Sequence, residues 1–300
     1  MSASGSKRVI VAALLGNLAI TAVKAAVAAT TGSAALLAEA LHSGADTGNQ
    51  LLLLVGMRLG ARRPDERHSF GYGRERYFWP FVVALTMFSL GAIFSVHEGV
   101  HKILHPEPPH GGYALAYGIL VVSLVIEGAS IRVALREYEG LRRGKGFFEA
   151  ARVARDPTVF VVVFEDAAAL VGLVLALLGI GLTHLTGRSF FDALASVAIG
   201  VLLGAVAIFL GVETRSLLIG ESAVPEEVEE IRRVAGSLPG FVEFKELRTM
   251  HLAPDEIVVE AAVKFDESLS LSGARAWIAD FEKALHAKNP KITHVTVEPA

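Results

Sequence analysis

The chain contains 300 residues, of which 52% are hydrophobic and 20% are charged, and its mean hydropathy is +0.49. These values exclude a disordered chain, and they show that the chain is too apolar for an ordinary soluble protein. The sequence has no cysteine, which excludes disulfide scaffolds, cysteine-based zinc modules and thiol catalysis. Its net charge of −3 argues against a nucleic-acid partner. These numbers fit a membrane protein that has a soluble part. The lipid bilayer is therefore an expected partner.

The charges divide the chain near Leu218–Ser222. Residues 221–300 carry 9 Lys and Arg against 15 Asp and Glu, a net charge of −6, whereas the residues before them carry a net charge of +3. We therefore predict a transmembrane domain over residues 1–218 and a small polar domain over residues 219–300.

Six apolar stretches precede this boundary, and each is long enough to cross a hydrocarbon core of about 30 Å. The first is longer than the apolar part of a signal peptide, so we expect it to be retained as a span. The pattern predicts an all-α transmembrane domain of six helices. The stretches run over Val9–Ala29, Ala34–Leu59, Trp79–Val100, Tyr113–Leu135, Thr158–Leu182 and Ala193–Val212.

Lysine and arginine are unevenly distributed between the segments that join these stretches. The amino-terminal leader, the loop over residues 58–76 and the region over residues 136–155 hold 14 of them, whereas the intervening segments hold Lys102 and Arg188. Because cytoplasmic loops carry the excess of positive charge, both termini and the polar domain are predicted to be cytoplasmic. We expect a multi-pass protein of the cell (inner) membrane.

The polar domain has alternating helix and strand patterns. Their order, αββαβ, predicts a small α+β domain with a ferredoxin-like arrangement. About 80 residues give a marginal core, so a second copy in a homodimer would support it. The predicted elements are Pro225–Leu238, Phe241–Leu252, Asp255–Phe265, Leu271–Lys288 and Ile292–Val297.

Ionisable side chains inside the spans are costly and indicate function. His42 and Asp46 in span two are four residues apart, so they share one helix face and form half of a tetrahedral metal site. Asp166 follows Glu165 in span five and lies about 12 Å from the start of that helix on the cytoplasmic side. His42 lies about 14 Å from the start of span two, which is on the opposite side of the membrane. Both depths are near the bilayer midplane, so the two helices bring these side chains together.

At this point the sequence resembles the cation diffusion facilitator family of divalent metal transporters. The resemblance covers almost the whole chain, and its segments occur in the family's order. They are AEALHSGADTGNQ over residues 38–50, PDERHSFGYGRE over residues 64–75, Asp156–Thr158 with Glu165–Asp166, residues 186–196 and LIGESA over residues 218–223.

The resemblance implies a homodimeric six-span exporter, and no enzyme, that exchanges a cytoplasmic divalent cation for protons. By position, His42, Asp46 and Asp166 match three of the family's metal ligands. The fourth falls at Val162, which departs from the usual His or Asp. Glu165 is the expected substitute, and a water ligand is the alternative. One imidazole with carboxylates suits Zn²⁺ first, then Fe²⁺ or Mn²⁺, as the transported substrate.

Other readings of these residues stay open. Because Val162 lacks a ligand atom, a non-transporting metal sensor or scaffold with the same fold is the runner-up. A membrane enzyme that uses His42 and Asp46 together as a general base is less favoured, since no nucleophile accompanies them.

Glu39 is expected either to relay protons or to join helices, and Glu127 is expected to hydrogen-bond between helices. The tail candidates for a further metal site are His251, Glu260, His286 and Glu298.

Overall fold

The computed structural model describes residues 18–300 apart from 107, 109–111, 143, 145 and 154. The chain forms two compact units. The first, here called the helical unit, comprises residues 1–56 and 79–214. The second, here called the carboxy-terminal unit, comprises residues 57–78 and 215–300.

Long helices account for most of the chain up to residue 219. Each predicted span lies on a helix, although the start of the first prediction, Val9–Ala29, falls outside the described residues. The helices are α1 Leu18–Thr31, α2 Ala34–Gly60, α3 Glu75–Val83, α4 Ser89–Leu104, α5 Tyr113–Arg142, α6 Phe147–Val153, α7 Pro157–Thr186 and α8 Phe190–Ile219. A π-helical turn at Ala84–Phe88 joins α3 to α4 in one continuous span.

Four helices among the described residues are long and apolar enough to cross a membrane: Glu75–Leu104, Tyr113–Arg136, Phe160–Thr186 and Phe190–Ile219. The described part of α1 is a shorter apolar helix. Helix α2 has 27 residues but is less apolar, because polar and ionisable side chains interrupt it. These helices establish a multi-pass, all-α membrane domain.

Local sequence signals fix both ends of α7, the helix that carries Glu165 and Asp166. The Asp156 side chain accepts a hydrogen bond from the Thr158 backbone N–H at 3.0 Å, and Pro157 occupies the first turn. The helix ends at Gly187, whose φ of 67° is left-handed and whose N–H donates to the Thr183 carbonyl at 2.8 Å.

The start of α2 is fixed by a residue of α8. Asp192 accepts hydrogen bonds from the Ser33 hydroxyl at 2.5 Å and from the Ala34 backbone N–H at 2.6 Å. Asp192 therefore caps α2, although its position in the sequence suggests a cap for its own helix. This contact ties the amino-terminal end of α2 to α8.

Helices α4 and α8 approach each other through glycine. A Cβ added at Gly99 would lie 2.6 Å from the Ala193 carbonyl oxygen, and one added at Gly200 would lie 2.8 Å from the Val96 backbone nitrogen. Each glycine therefore lets one helix backbone rest directly on the other, as small residues do between membrane helices.

The carboxy-terminal unit has the predicted αββαβ order. Strand β2 is central in the sheet order β1-β2-β3, pairing antiparallel with β1 and parallel with β3. The parallel pair requires a crossover, which α10 provides. The α+β prediction is thus confirmed. The elements are α9 Pro225–Gly236, β1 Phe241–Ala253, β2 Glu256–Phe265, α10 Leu271–Lys288 and β3 Ile292–Pro299.

One hydrophobic core holds this domain together. Trp277, Phe281 and Leu285 recur on one face of α10 and are almost fully buried. They cover the alternating buried residues of β2, among them Ile257 and Val259. The spacing of about 3.6 residues on the helix and two on the strand produces the two facing apolar surfaces.

The loop between α2 and α3 belongs to the carboxy-terminal unit. Arg76 pairs with Asp255 at 2.6 Å, and the Phe70 and His294 rings lie 5.3 Å apart. Within the loop, Asp65 accepts hydrogen bonds from the Tyr72 hydroxyl and from two backbone N–H groups. The Tyr72 bond, followed by the backbone bonds, holds the pKa of Asp65 below its ordinary value of 3.8.

Candidate functional site

Ionisable side chains are buried inside the helical unit, where the ordinary expectation is an apolar interior. Because each such group is expensive to place in a membrane domain, its neighbours reveal its role. The buried set on α1, α2 and α7 comprises Lys24, Glu39, His42, Asp46 and Glu165.

His42 and Asp46 lie one turn apart on α2. The structure places His42 Nδ1 3.5 Å from Asp46 Oδ1, and both side chains are buried. A carboxylate next to an imidazole can hold that ring in a fixed orientation or share a cation with it.

Glu165 on α7 reaches across to α2. Its carboxyl group contacts that of Asp46 and accepts a hydrogen bond from the Asn49 amide. Glu165 Oε1 and Asp46 Oδ1 have no hydrogen-bond partner among the described residues. Two buried carboxyl groups in contact need a shared proton or a cation to offset their repulsion.

Asp166, the next residue on α7, faces α5. Ser130 donates a hydrogen bond to Asp166 Oδ2 at 2.9 Å. Both residues, together with Asp46 and Glu127, line a small cavity of about 40 Å³. Asp46 therefore joins the two acidic residues of α7, touching Glu165 directly and sharing the cavity with Asp166.

The predicted residues do not form a closed metal site as they stand. Within the described parts of the chain, no three or more His, Asp or Glu side chains are arranged to hold a metal ion. His42 contacts Asp46, but it does not line the cavity. The half-buried Val162 lies one helical turn before Asp166 and supplies no ligand atom.

The structure adds Glu127 and Ser130 to the surroundings of Asp166. Ser130 was missed in the sequence because a single hydroxyl in an apolar stretch is usually a helix-packing group. The available signal was its spacing of three residues from Glu127, which puts both on one face of α5. Glu127 was expected between helices, and it lies at the cavity with Asp46 and Asp166.

Buried acidic groups on converging membrane helices, followed in the chain by an α+β domain, define the class as a polytopic membrane protein with ionisable groups in its helical interior. Comparison with protein families agrees. Residues 10–219 match the model described as the cation efflux transmembrane domain, and residues 223–299 match the cation efflux protein, cytoplasmic domain. The chain belongs to the cation efflux, or cation diffusion facilitator, family. It is therefore an integral, multi-pass membrane protein of a transporter family and not an enzyme.

Several curated proteins are similar to the chain. The Xenopus laevis proton-coupled zinc antiporter SLC30A9, mitochondrial, is 37% identical over 214 residues, covering 71% of this chain and 38% of that protein. The Arabidopsis thaliana metal tolerance protein C4 is 30% identical over 242 residues, covering 78% and 52%. The Yersinia enterocolitica cation-efflux pump FieF is 24% identical over 235 residues, covering 78% and 72%. The chain thus spans 38% of the antiporter's length.

Proposed function

We propose that the chain exports a divalent metal cation in exchange for protons, by alternating access. The cation would be held by four side chains: His42, Asp46, Glu165 and Asp166. The observation that carries this proposal is the contact between the Asp46 and Glu165 carboxyl groups across α2 and α7. Each retains an oxygen without a hydrogen-bond partner among the described residues, so a cation fits between them.

Zn²⁺ is the preferred substrate. One imidazole and several carboxylates suit Zn²⁺, with Fe²⁺ and Mn²⁺ as alternatives, and the chain contains no thiol for Cu⁺. The name of the similar SLC30A9 antiporters, which refers to zinc, supports the same choice.

Proton coupling follows from the chemistry of these ligands. A metal ion binds the neutral imidazole and the ionised carboxylates, so metal and protons compete for the same atoms. A site that exchanges one for the other while opening to alternate faces is an antiporter. The description of the SLC30A9 relatives as proton-coupled supports this mechanism for the chain.

We further propose that residues 1–218 form the transport domain and that residues 219–300 form a cytoplasmic dimerisation and regulatory domain. The distribution of Lys and Arg supports cytoplasmic termini in a cell membrane. The family description of residues 223–299 as a cytoplasmic domain is consistent with this orientation. A homodimer would supply the additional buried surface that a small domain needs.

Reconstituted transport tests the function. Purified protein in liposomes loaded with a zinc indicator and a pH-sensitive dye should take up Zn²⁺ and move protons in the opposite direction. Asp166→Asn should abolish this flux, because it removes one ligand charge at the cavity. The matched control is Asp280→Asn on the exposed face of α10, which should transport normally. Wild-type flux in Asp166→Asn would show that the site lies elsewhere, and zinc uptake that ignores a proton gradient would refute antiport.

The same assay separates the runner-up function. Val162 leaves one ligand position without a donor atom, which favours a metal sensor or scaffold as the second candidate. Such a protein would bind Zn²⁺ in a titration and show no flux in liposomes.

A further inference from the structure

A buried ion pair lies beside the candidate transport site. Lys24 of α1 is 1% exposed and Glu39 of α2 is 0% exposed, and Lys24 Nζ lies 3.4 Å from Glu39 Oε2. The same ammonium group donates a hydrogen bond to Ser43 Oγ at 2.7 Å. Ser43 also lines the cavity that contains Asp46 and Asp166. The positive charge of Lys24 is therefore one hydrogen bond away from the lining of the cavity.

The pair is fitted closely between three helices. A Cβ added at Gly172 of α7 would meet Glu39 Oε1, so the Glu39 carboxylate rests against the α7 backbone and would have to shift to make room for a larger residue. Helix α7 also carries Glu165 and Asp166, and α2 carries His42 and Asp46. The ion pair thus touches both helices that supply the proposed ligands.

Stability alone does not explain such a pair. Removing two charges from water costs several kcal/mol per ion, and well-packed apolar residues at such positions are often as stable or more so. The charge of Lys24 also reaches beyond its partner. Its hydrogen bond to Ser43 brings it to the lining of the cavity that Asp46, Glu127 and Asp166 share.

The balance of charge at the site suggests what Lys24 does. Asp46, Glu127 and Asp166 line the cavity, and Glu165 contacts Asp46, so four carboxyl groups surround the place for one divalent cation. Four carboxylates outweigh a charge of +2, and such a site would hold the cation too tightly for rapid release. Ser43, which lines the cavity, is bonded to the ammonium group of Lys24, and Glu39 does not line it, so the site meets the positive end of the ion pair, which offsets part of this attraction.

We propose that Lys24 sets the cation affinity of the site: its buried positive charge lowers the affinity for divalent cations and so permits their release. Glu39 and Ser43 hold that charge in position. The inference deepens the proposed function and rests on it, since it assumes that the neighbouring carboxyl groups bind the transported cation.

Zinc titration of the full-length protein in lipid nanodiscs tests the inference. Three variants are compared: Glu39→Gln, Lys24→Met/Glu39→Gln and Lys24→Arg/Glu39→Gln. The neutral Glu39→Gln background is needed because a lone buried Glu39 would take up a proton and mask the loss of the lysine. Isothermal titration calorimetry then reports the effect of the charge at position 24 as a dissociation constant, independently of transport.

The Lys24→Met/Glu39→Gln variant should bind Zn²⁺ at least about tenfold more tightly than Glu39→Gln, which corresponds to about 1.4 kcal/mol. The Lys24→Arg/Glu39→Gln variant keeps the charge and should stay within about twofold of Glu39→Gln. In liposomes, the Lys24→Met/Glu39→Gln variant should show a lower KM and a lower maximal rate than Glu39→Gln. If Glu39→Gln does not fold, the same comparison is made with Glu39→Ala, whose smaller side chain fits beside Gly172.

The outcomes separate this inference from the proposed function. Equal zinc affinities with methionine and arginine at position 24, in a protein whose wild type binds zinc, would overturn the role of Lys24 alone. A wild-type protein that binds no divalent cation would overturn both proposals.

Discussion

The helical unit and the domain over residues 219–300 both bury apolar side chains, but they differ in how many ionisable side chains they bury. The helical unit encloses an ion pair, a His–Asp pair and a contact between two carboxyl groups. The domain encloses an apolar core, and the ionisable side chain buried within residues 219–300 is His251. A buried charge lowers the stability of the fold but can bind a cation or a proton, whereas buried apolar area raises the stability. The buried ionisable groups are therefore concentrated in the helical unit, whereas the buried side chains of residues 219–300 are apolar apart from His251.

The largest effect on stability is expected in the apolar core. Phe281 is fully buried and stacks on Trp277 with the ring centroids 4.8 Å apart. Phe281→Ala should destabilise the domain by about 3–5 kcal/mol, through lost burial and a new cavity. Trp277 fluorescence in a Trp79→Phe background would follow its unfolding in the full chain.

The control for this substitution is Leu271→Ala, because Leu271 is 77% exposed on the same helix. It should change stability by less than about 0.5 kcal/mol. The contrast between the two regions would break down if Phe281→Ala also abolished zinc binding under conditions where the domain remains folded.

The second prediction concerns the carboxyl contact in the helical unit. Glu165→Gln removes one of two adjacent buried acids, so zinc affinity should fall by about tenfold or more while the thermal stability stays equal or rises. The double variant Val162→His/Glu165→Gln places a ligand one turn from Asp166. It should recover much of the zinc affinity that Glu165→Gln loses. Calorimetric titration of both variants measures these changes. Unaltered binding in Glu165→Gln would favour water as the ligand that replaces the side chain at position 162.

The third prediction concerns a buried acid that supports structure within the helical unit. Asp192→Asn places an amide donor against the donors of Ser33 and Ala34, so we expect a loss of about 1–3 kcal/mol in stability. Asp156→Asn is the matched control, because asparagine caps helices as well as aspartate does. Thermal unfolding in detergent compares the two variants. Equal unfolding temperatures would show that the Asp192 contact does not stabilise α2.

The smallest effect is expected at Glu227, a partly buried acid of α9. The His251 ring, 3.8 Å away, and the Val224 backbone N–H hold the pKa of Glu227 below its ordinary value of 4.5. A lowered folded-state pKa stabilises the fold above pH 4.5, and this contribution is lost as the pH falls through the folded-state pKa.

Glu227→Gln should therefore cost about 1 kcal/mol at about pH 7 and nothing in strong acid. The control is Glu226→Gln, an exposed carboxylate in the same helical turn. Denaturant unfolding of the domain at several pH values measures both. A pH-independent difference between wild type and Glu227→Gln would mean that charge is not the cause.

Much of the fold was predictable because its signals are local. Helix α10 begins and ends at the predicted residues, since its apolar face repeats every three to four residues. The His42–Asp46 contact follows likewise from one helical turn. Ser130 and the partner of Asp192 were not predictable in this way. The hydroxyl of Ser33 is 159 residues from Asp192 in the chain, and no periodic pattern connects them.

The sequence by itself determined the apolar helices, the αββαβ domain, the family and the acidic residues expected at the site. Each depends on residue spacing within one element or on composition, which the backbone geometry of helices and strands converts directly into faces. The tertiary structure decided which helices meet. In the structure, Glu165 contacts Asp46, and Asp166 accepts a hydrogen bond from Ser130. Lys24 pairs with Glu39, whose carboxylate lies against Gly172. Such contacts depend on how whole helices pack, because the energy of a buried charge is set by neighbours that are remote in the chain.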